Sequence, residues 1–254
     1  AVVHVLAAPL TEHSVQAVID RPRRLDHMQQ HTGQHILSQA FVRVAEAETV
    51  GFHLGADSVT IDLNTKSLSA DEFATAEALA NQVLWANHPV RAWFPTAEEL
   101  TSLPIRKTPD VVGQLRVVDI GGFDITACGG THVADNGELG LIKLLKQEKR
   151  SGGLVRIVFA CGQRALNDYG RKHNTLNRAA ALLSVGEEEV AEAVERWQSE
   201  LKTLRRDLQQ AQASLLTIEA ERLLAAAPDQ NGRRIIRQVW PNRPLDELRK
   251  LATH

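Results

Sequence analysis

The sequence predicts an α+β protein, a two-layer antiparallel sheet with helices, followed by an α-helical coiled-coil hairpin. Three observations carry this expectation. Short valine-rich segments punctuated by glycine pairs recur up to about Cys161, the pattern of antiparallel hairpins. Two amphipathic helical segments interrupt them. After "CGQRALNDYG" the pattern turns continuously helical, with apolar residues spaced alternately four and three. At 254 residues and 43% hydrophobic content, the chain can bury a real core in one large or two small domains.

Taken in order, "AVVHVL" and "SVQAVID" read as two short strands joined around Pro9 to His13. A helix is expected from about Asp26 to Val44, with Ile36, Leu37, Ala40, Phe41 and Val44 as its apolar face. "SVTIDL" alternates as a strand, and Ser69 with Glu72 forms a capping box that opens a helix running to about Ala86. "PVRAWF" is a strand with Pro89 at its edge. "LRVVDI", "GG" and "FDITA" make one hairpin, and "ELGLIKLLKQEK", "RSGG" and "LVRIVFA" a second. In the helical part, Gly186 can end one helix and Ser184 can help start the next. Val190, Val194, Trp197, Leu201, Leu204, Leu208, Ala211, Leu215 and Ile218 then form a heptad seam. "APDQNGRR" breaks the helix, "IIRQVW" reads as a strand and "LDELRKLA" as a short helix.

Two cysteines, Cys128 and Cys161, are too few for a disulfide framework and suit a reducing compartment. With no apolar run of membrane-spanning length and no secretory pattern at the start, the expectation is a soluble, cytoplasmic protein. A net charge of −2 decides nothing about nucleic acid, because local patches govern binding. Basic residues do concentrate between Lys143 and Lys172, and again in "RPRR" at 21–24. Either cluster is a polyanion-binding face or an ordinary solvated one.

The chemistry concentrates in two motifs. In "HTGQH", His31 and His35 are four apart on a helix, so their side chains point the same way and can share an ion. In "CGGTH", Cys128 and His132 can converge on one point because the glycines allow a tight turn. One cysteine and three histidines suit tetrahedral zinc, whereas calcium and magnesium want oxygen. His27 extends the helical series, but eight residues span about 12 Å, so an ion takes one adjacent pair. Cys161, after an apolar strand, reads as core.

"HTGQH" with "CGGTH" about a hundred residues later, extended by "DHMQQHTGQHILSQAF", "VGFHLGADSVTIDL" and "DIGGFDITACGGTHV", resembles the editing domain of alanyl-tRNA synthetase and the free-standing AlaX-type alanyl-tRNA deacylases, over most of residues 1–163. The helical hairpin resembles the long form of that family. The resemblance implies an editing-domain-like fold at 1–163, beginning with the end of a truncated N-terminal barrel. It implies a coiled-coil hairpin at 164–227 and the start of a truncated DHH-associated domain at 228–254, so that the chain is expected to be a fragment. It further implies a Zn2+ site at His31, His35, Cys128 and His132. The implied activity is hydrolysis of tRNA(Ala) carrying a wrong amino acid, chiefly serine and also glycine, in trans or as part of the synthetase.

An apolar synthetic pocket cannot strongly reject an added hydroxyl, so a second site that binds the hydroxyl is the available remedy. Thr32 is the residue expected to read the serine hydroxyl, and Gln34 is a second polar candidate at the catalytic site. Asp124 lies near the motifs without an assigned role. Lys143, Lys146, Lys149 and Arg150 are the expected tRNA contacts, and a homodimer through the coiled coil and C-terminal part is a further expectation. The alternatives are a zinc-stabilised tRNA-binding module without catalysis, and editing of the threonyl-tRNA synthetase type.

Overall fold

The computed structural model describes residues 14–56, 58–106 and 114–253, with Val5 and Pro9. Two compact units divide the chain, Ala1–Lys172 and His173–His254.

The first unit is built around helix α1 (Arg21–Ala45). The Asp20 carboxylate caps it by accepting from the Arg23 N–H, and Pro22 suits the first turn, where a missing N–H costs nothing. The helix therefore starts five residues before the expected Asp26. Strands β1 (Thr49–Leu54) and β2 (Val59–Leu63) follow, then α2 (Ala70–Trp85), opened by the Ser69–Glu72 capping box as expected. Strand β3 (Val90–Trp93) precedes the short helix α3 (Ala97–Ser102). Two hairpins complete the unit, β4 (Val117–Ile120) with β5 (Asp124–Ala127), and β6 (Ile142–Arg150) with β7 (Leu154–Cys161).

The sheets are antiparallel, in the orders β1-β2-β7-β6 and β3-β4-β5. Alternation places Ile61, Leu63, Val155, Ile157 and Phe159 in one core with Ile36, Leu37, Ala40 and Phe41 of α1. Each such large side chain taken from water is worth about 1.5–3 kcal/mol. Gly33 lets α1 approach β7, since a Cβ there would overlap Cys161 Sγ. Cys161 is fully buried, and burial pushes its thiol far above the usual range.

Helix α4 (Gly162–Leu183) carries the chain into the second unit, which holds α5 (Val190–Ala226), the two-residue strands β8 (Asp229–Gln230) and β9 (Arg233–Arg234), and α6 (Leu245–Thr253). Most of the heptad seam on α5 lies open, from Val194 and Trp197 through Leu201, Leu204 and Leu208 to Leu215 and Ile218. The buried leucine is Leu216, one residue off the seam. Arg243 anchors the α6 side of α5 through a bidentate pair with Glu219 at 2.7 Å.

Three local expectations fail. "SVQAVID" forms no strand, because no described strand pairs with it and Val15, Val18 and Ile19 lie in solvent. "AVVHVL" falls outside the described residues apart from Val5. At the α4–α5 turn the two expected roles exchange. Ser184 adopts the left-handed conformation at φ 55°, whereas Gly186 precedes a short 3-10 turn at φ −69°. "IIRQVW" is irregular, since the hairpin turn at Asn231 and Gly232 pairs only Asp229–Gln230 with Arg233–Arg234. No helix among the described residues is long and apolar enough to cross a membrane.

Candidate metal centre

Two elements of the first unit bring four side chains together. Helix α1 supplies His31 and His35 one turn apart, and the loop after β5 supplies Cys128 and His132. Their ligand atoms all lie within 4.8 Å of one another. Cys128 Sγ is 3.4 Å from His31 Nε2 and 3.4 Å from His132 Nε2. Sulfur and nitrogen sharing one tetrahedral zinc, at bonds of about 2.3 and 2.0 Å, stand on the order of 3.5 Å apart, so these residues fit that ion. His27 stands outside this group.

The loop is shaped for the approach. Gly130 lies against His31, where a Cβ would overlap the imidazole ring. Its N–H donates to Cys128 Sγ at 3.3 Å, and Arg116 Nη1 donates to the carbonyls of Cys128 and Gly130 at 2.7 and 2.9 Å. Phe52 covers His31 with ring centroids 5.5 Å apart.

Partners behind the ligands fix their orientation. Asp124 is buried, with Oδ2 3.0 Å from His35 Nδ1 and Oδ1 2.6 Å from Arg106 Nε. His132 Nδ1 lies 3.1 Å from Thr32 Oγ1, which also accepts from the Val133 N–H. In both cases a donating Nδ1–H leaves the Nε2 lone pair for an ion.

The electrostatics follow. Burial opposes ionisation of Cys128, but hydrogen bonds from His132, His31 and His35 outweigh it and lower its pKa to about 3. Burial opposes the charge on His35 too, yet its bonds to Asp124 and Cys128 raise its pKa. Burial and the neighbouring His35 and His31 lower that of His132. Burial disfavours the Asp124 carboxylate, and the His35 and Arg106 hydrogen bonds prevail and lower its pKa. The centre is thus a thiolate among imidazoles, the donor set of a borderline-soft cation.

A cavity of about 250 Å³ opens on this group, lined by His31, Gln34, His35, Thr49, Arg106 and Thr126 with the cysteine. Gln34 donates to Ser38 Oγ at 2.8 Å, which lies 2.6 Å from Thr49 Oγ1. Thr32 is fully buried behind the ligands.

Sequence reasoning missed the roles of Arg106 and Arg116 and left Asp124 unassigned. A usable signal existed for Asp124: it, Thr126 and Cys128 alternate along one extended segment and so face one side. The basic residues of β6 are exposed and lie outside the metal group and its cavity. Lys143 pairs with Glu77 at 2.6 Å and Lys146 with Glu148 at 2.7 Å, while Lys149 and Arg150 are exposed.

An antiparallel α+β unit whose helix and hairpin loop converge on a Cys-His₃ group is the class of protein that fold and site define. Residues 115–158 match the family described as the Threonyl and Alanyl tRNA synthetase second additional domain. The chain is 35% identical over 217 residues to the alanine–tRNA ligase of Pyrococcus furiosus, covering 82% of this chain and 24% of the ligase. It is 33% identical over 229 residues to the alanyl-tRNA editing protein Aarsd1-B of Xenopus laevis, covering 89% of this chain and 56% of that protein. With Aarsd1 of Mus musculus the figures are 34% over 208 residues, 80% and 50%. The chain is therefore a relative of the alanyl-tRNA synthetase editing domain and its free-standing counterparts. It spans about half the length of those editing proteins and about a quarter of the ligase.

Proposed function

We propose that the chain is the editing part of an aminoacyl-tRNA deacylase that hydrolyses tRNA(Ala) mischarged with serine, and secondarily with glycine. The observation that carries this reading is the four-donor group, of which His31, His35 and Cys128 line a cavity of about 250 Å³, room for an aminoacyl group. In the reaction, water adds to the ester carbonyl, the 3′ oxygen leaves with a proton, and the free amino acid departs. His31, His35, Cys128 and His132 would hold Zn2+, which when bound supplies a fixed positive charge at the cavity floor. The chain's own groups do the rest. Asp124 and Thr32 hold the ligand rings, and Gln34, Thr49 and Thr126 offer hydrogen bonds along the wall.

Hydrolysis of Ser-, Gly- and Ala-tRNA(Ala) by purified protein, with and without a chelator, tests the proposal. Release of serine that stops on metal removal and returns with zinc is expected. Binding of tRNA without release of any amino acid supports the alternative of a non-catalytic zinc-stabilised module. The matched family spans threonyl and alanyl enzymes, and the alanyl names of the relatives above favour the alanyl reading. Thr32, expected to read the serine hydroxyl, is fully buried, is not among the residues lining the cavity, and has its Oγ1 engaged by His132 Nδ1 and the Val133 N–H, which favours a ligand-orienting role instead. Thr32→Val should therefore weaken zinc binding and lower kcat/KM for Ser- and Gly-tRNA in parallel, since it removes the acceptor that orients His132. A fall confined to Ser-tRNA, by about 0.5–1.5 kcal/mol with zinc retained, would instead return serine selection to this hydroxyl. Lys143, Lys146, Lys149 and Arg150 are proposed as tRNA contacts, and replacing Lys146, Lys149 and Arg150 with Ala should flatten the salt dependence of binding.

A further inference from the structure

Arg106 is the one arginine or lysine among the residues lining the cavity above the metal group. Its side chain is 16% exposed, and its backbone N–H is tied to the Ile125 carbonyl at 2.8 Å, so it is held in place from both ends. Nε and Nη2 clamp the two oxygens of Asp124 at 2.6 and 3.2 Å. The same carboxylate holds His35 Nδ1. One nitrogen of the guanidinium, Nη1, has no partner among the described residues.

We propose that Arg106 is a catalytic residue of the deacylation, donating from Nη1 to the acyl oxygen as negative charge develops on it. This rests on the functional reading above. Three considerations choose the acyl oxygen. The four donors would together complete a tetrahedral zinc, so the group that polarises the ester is sought elsewhere in the wall. The α-ammonium of the substrate repels a guanidinium, which leaves the acyl oxygen as the acceptor that gains charge inside the cavity. Phosphodiesters begin beyond the terminal ribose, and a space of about 250 Å³ does not reach them. The Asp124 clamp fixes the guanidinium before substrate arrives, so the reaction pays no reorganisation at that donor. No proton is transferred in this step, since the guanidinium donates a hydrogen bond and stays charged throughout.

The test compares Arg106→Lys, Arg106→Ala and Asp124→Asn by three readouts: zinc affinity by competition with a chelating dye, kcat and KM for Ser-tRNA(Ala), and affinity for seryl-3′-amino-adenosine, an amide that keeps the acyl oxygen. Loss of one such donor costs about a hundredfold to a thousandfold in kcat. That loss is expected in both arginine variants with zinc affinity kept within a few-fold, and guanidine in solution should restore part of the activity of Arg106→Ala. Asp124→Asn should lose zinc affinity as well. Arginine variants with unchanged kcat, or with a loss fully accounted for by missing zinc, would overturn the proposal. An inactive parent protein that still binds zinc would overturn the functional reading instead, and weaker binding of the amide by Arg106→Ala would then still support the contact.

Discussion

Helices α1 and α5 are both amphipathic, of 25 and 37 residues, but ten residues of α1 are buried against two of α5. Helix α1 is covered because the sheets of its own unit supply a surface, and its buried face mixes Phe41 and Ile36 with polar Gln30, Thr32 and His35. Helix α5 has the cleaner apolar repeat and leaves Leu201, Leu204 and Leu208 in solvent. A regular pattern therefore reports a face that can be covered, while the polar residues inside an irregular one report what the covered face does.

The comparison can be broken at its strongest point by truncating Phe41, which is fully buried. Phe41→Ala should cost about 3–5 kcal/mol in chemical denaturation of the first unit. The second measurement concerns zinc. Asp124→Asn removes the carboxylate charge and leaves one acceptor oxygen where His35 Nδ1–H and Arg106 Nε–H use two, and the zinc proposed for the centre should bind about 10 to 100 times more weakly, as outer-sphere partners of ligating histidines typically show. Next comes the seam between α1 and β7. Gly33→Ala should destabilise by about 1–3 kcal/mol through overpacking against Cys161, and Cys161→Ala in the same chain should recover part of that loss. At the small end, Leu208→Ala on α5, 59% exposed, should change stability by less than about 0.5 kcal/mol. A larger loss that grows with protein concentration would mean that a second copy covers this face.

Cys128 and Cys161 sharpen the contrast chemically. With a pKa of about 3, Cys128 is a thiolate at pH 6, so an alkylating reagent should modify it there in metal-free protein. Cys161, buried and held as a thiol, should stay unmodified until the unit unfolds. Mass spectrometry of peptides after brief alkylation reads both sites at once, and equal labelling would contradict the assignment.

Elements whose signal is local were legible in the sequence. The Ser69–Glu72 capping box, the glycine-paired hairpins and the i, i+4 histidines all depend on residues within a few positions of each other. Elements decided by a distant partner were not. "SVQAVID" has strand composition and no strand beside it among the described residues, and the turn at Ser184 follows from how α4 ends rather than from where the glycine stands. "RPRR" read as charge, although its proline and the preceding Asp20 open α1. The four histidine and cysteine positions stood out because one helix turn and one tight loop fix each pair. The Arg106–Asp124–His35 chain did not, since it joins residues 18 and 89 positions apart in sequence.

The Gln30 side chain behaves as a surrogate peptide unit. It accepts from the Cys161 N–H at 2.8 Å and donates to the Cys161 carbonyl at 3.0 Å, so the last residue of β7 is bonded by α1 as another strand would bond it. Amides at strand ends ordinarily fray and exchange their hydrogen quickly, because opening them disturbs little else. Here the opening requires α1 to lift from the sheet. The Cys161 amide should therefore exchange as slowly as the centre of the sheet, and in Gln30→Ala its deuterium uptake should become fast while that of Ile157 stays slow.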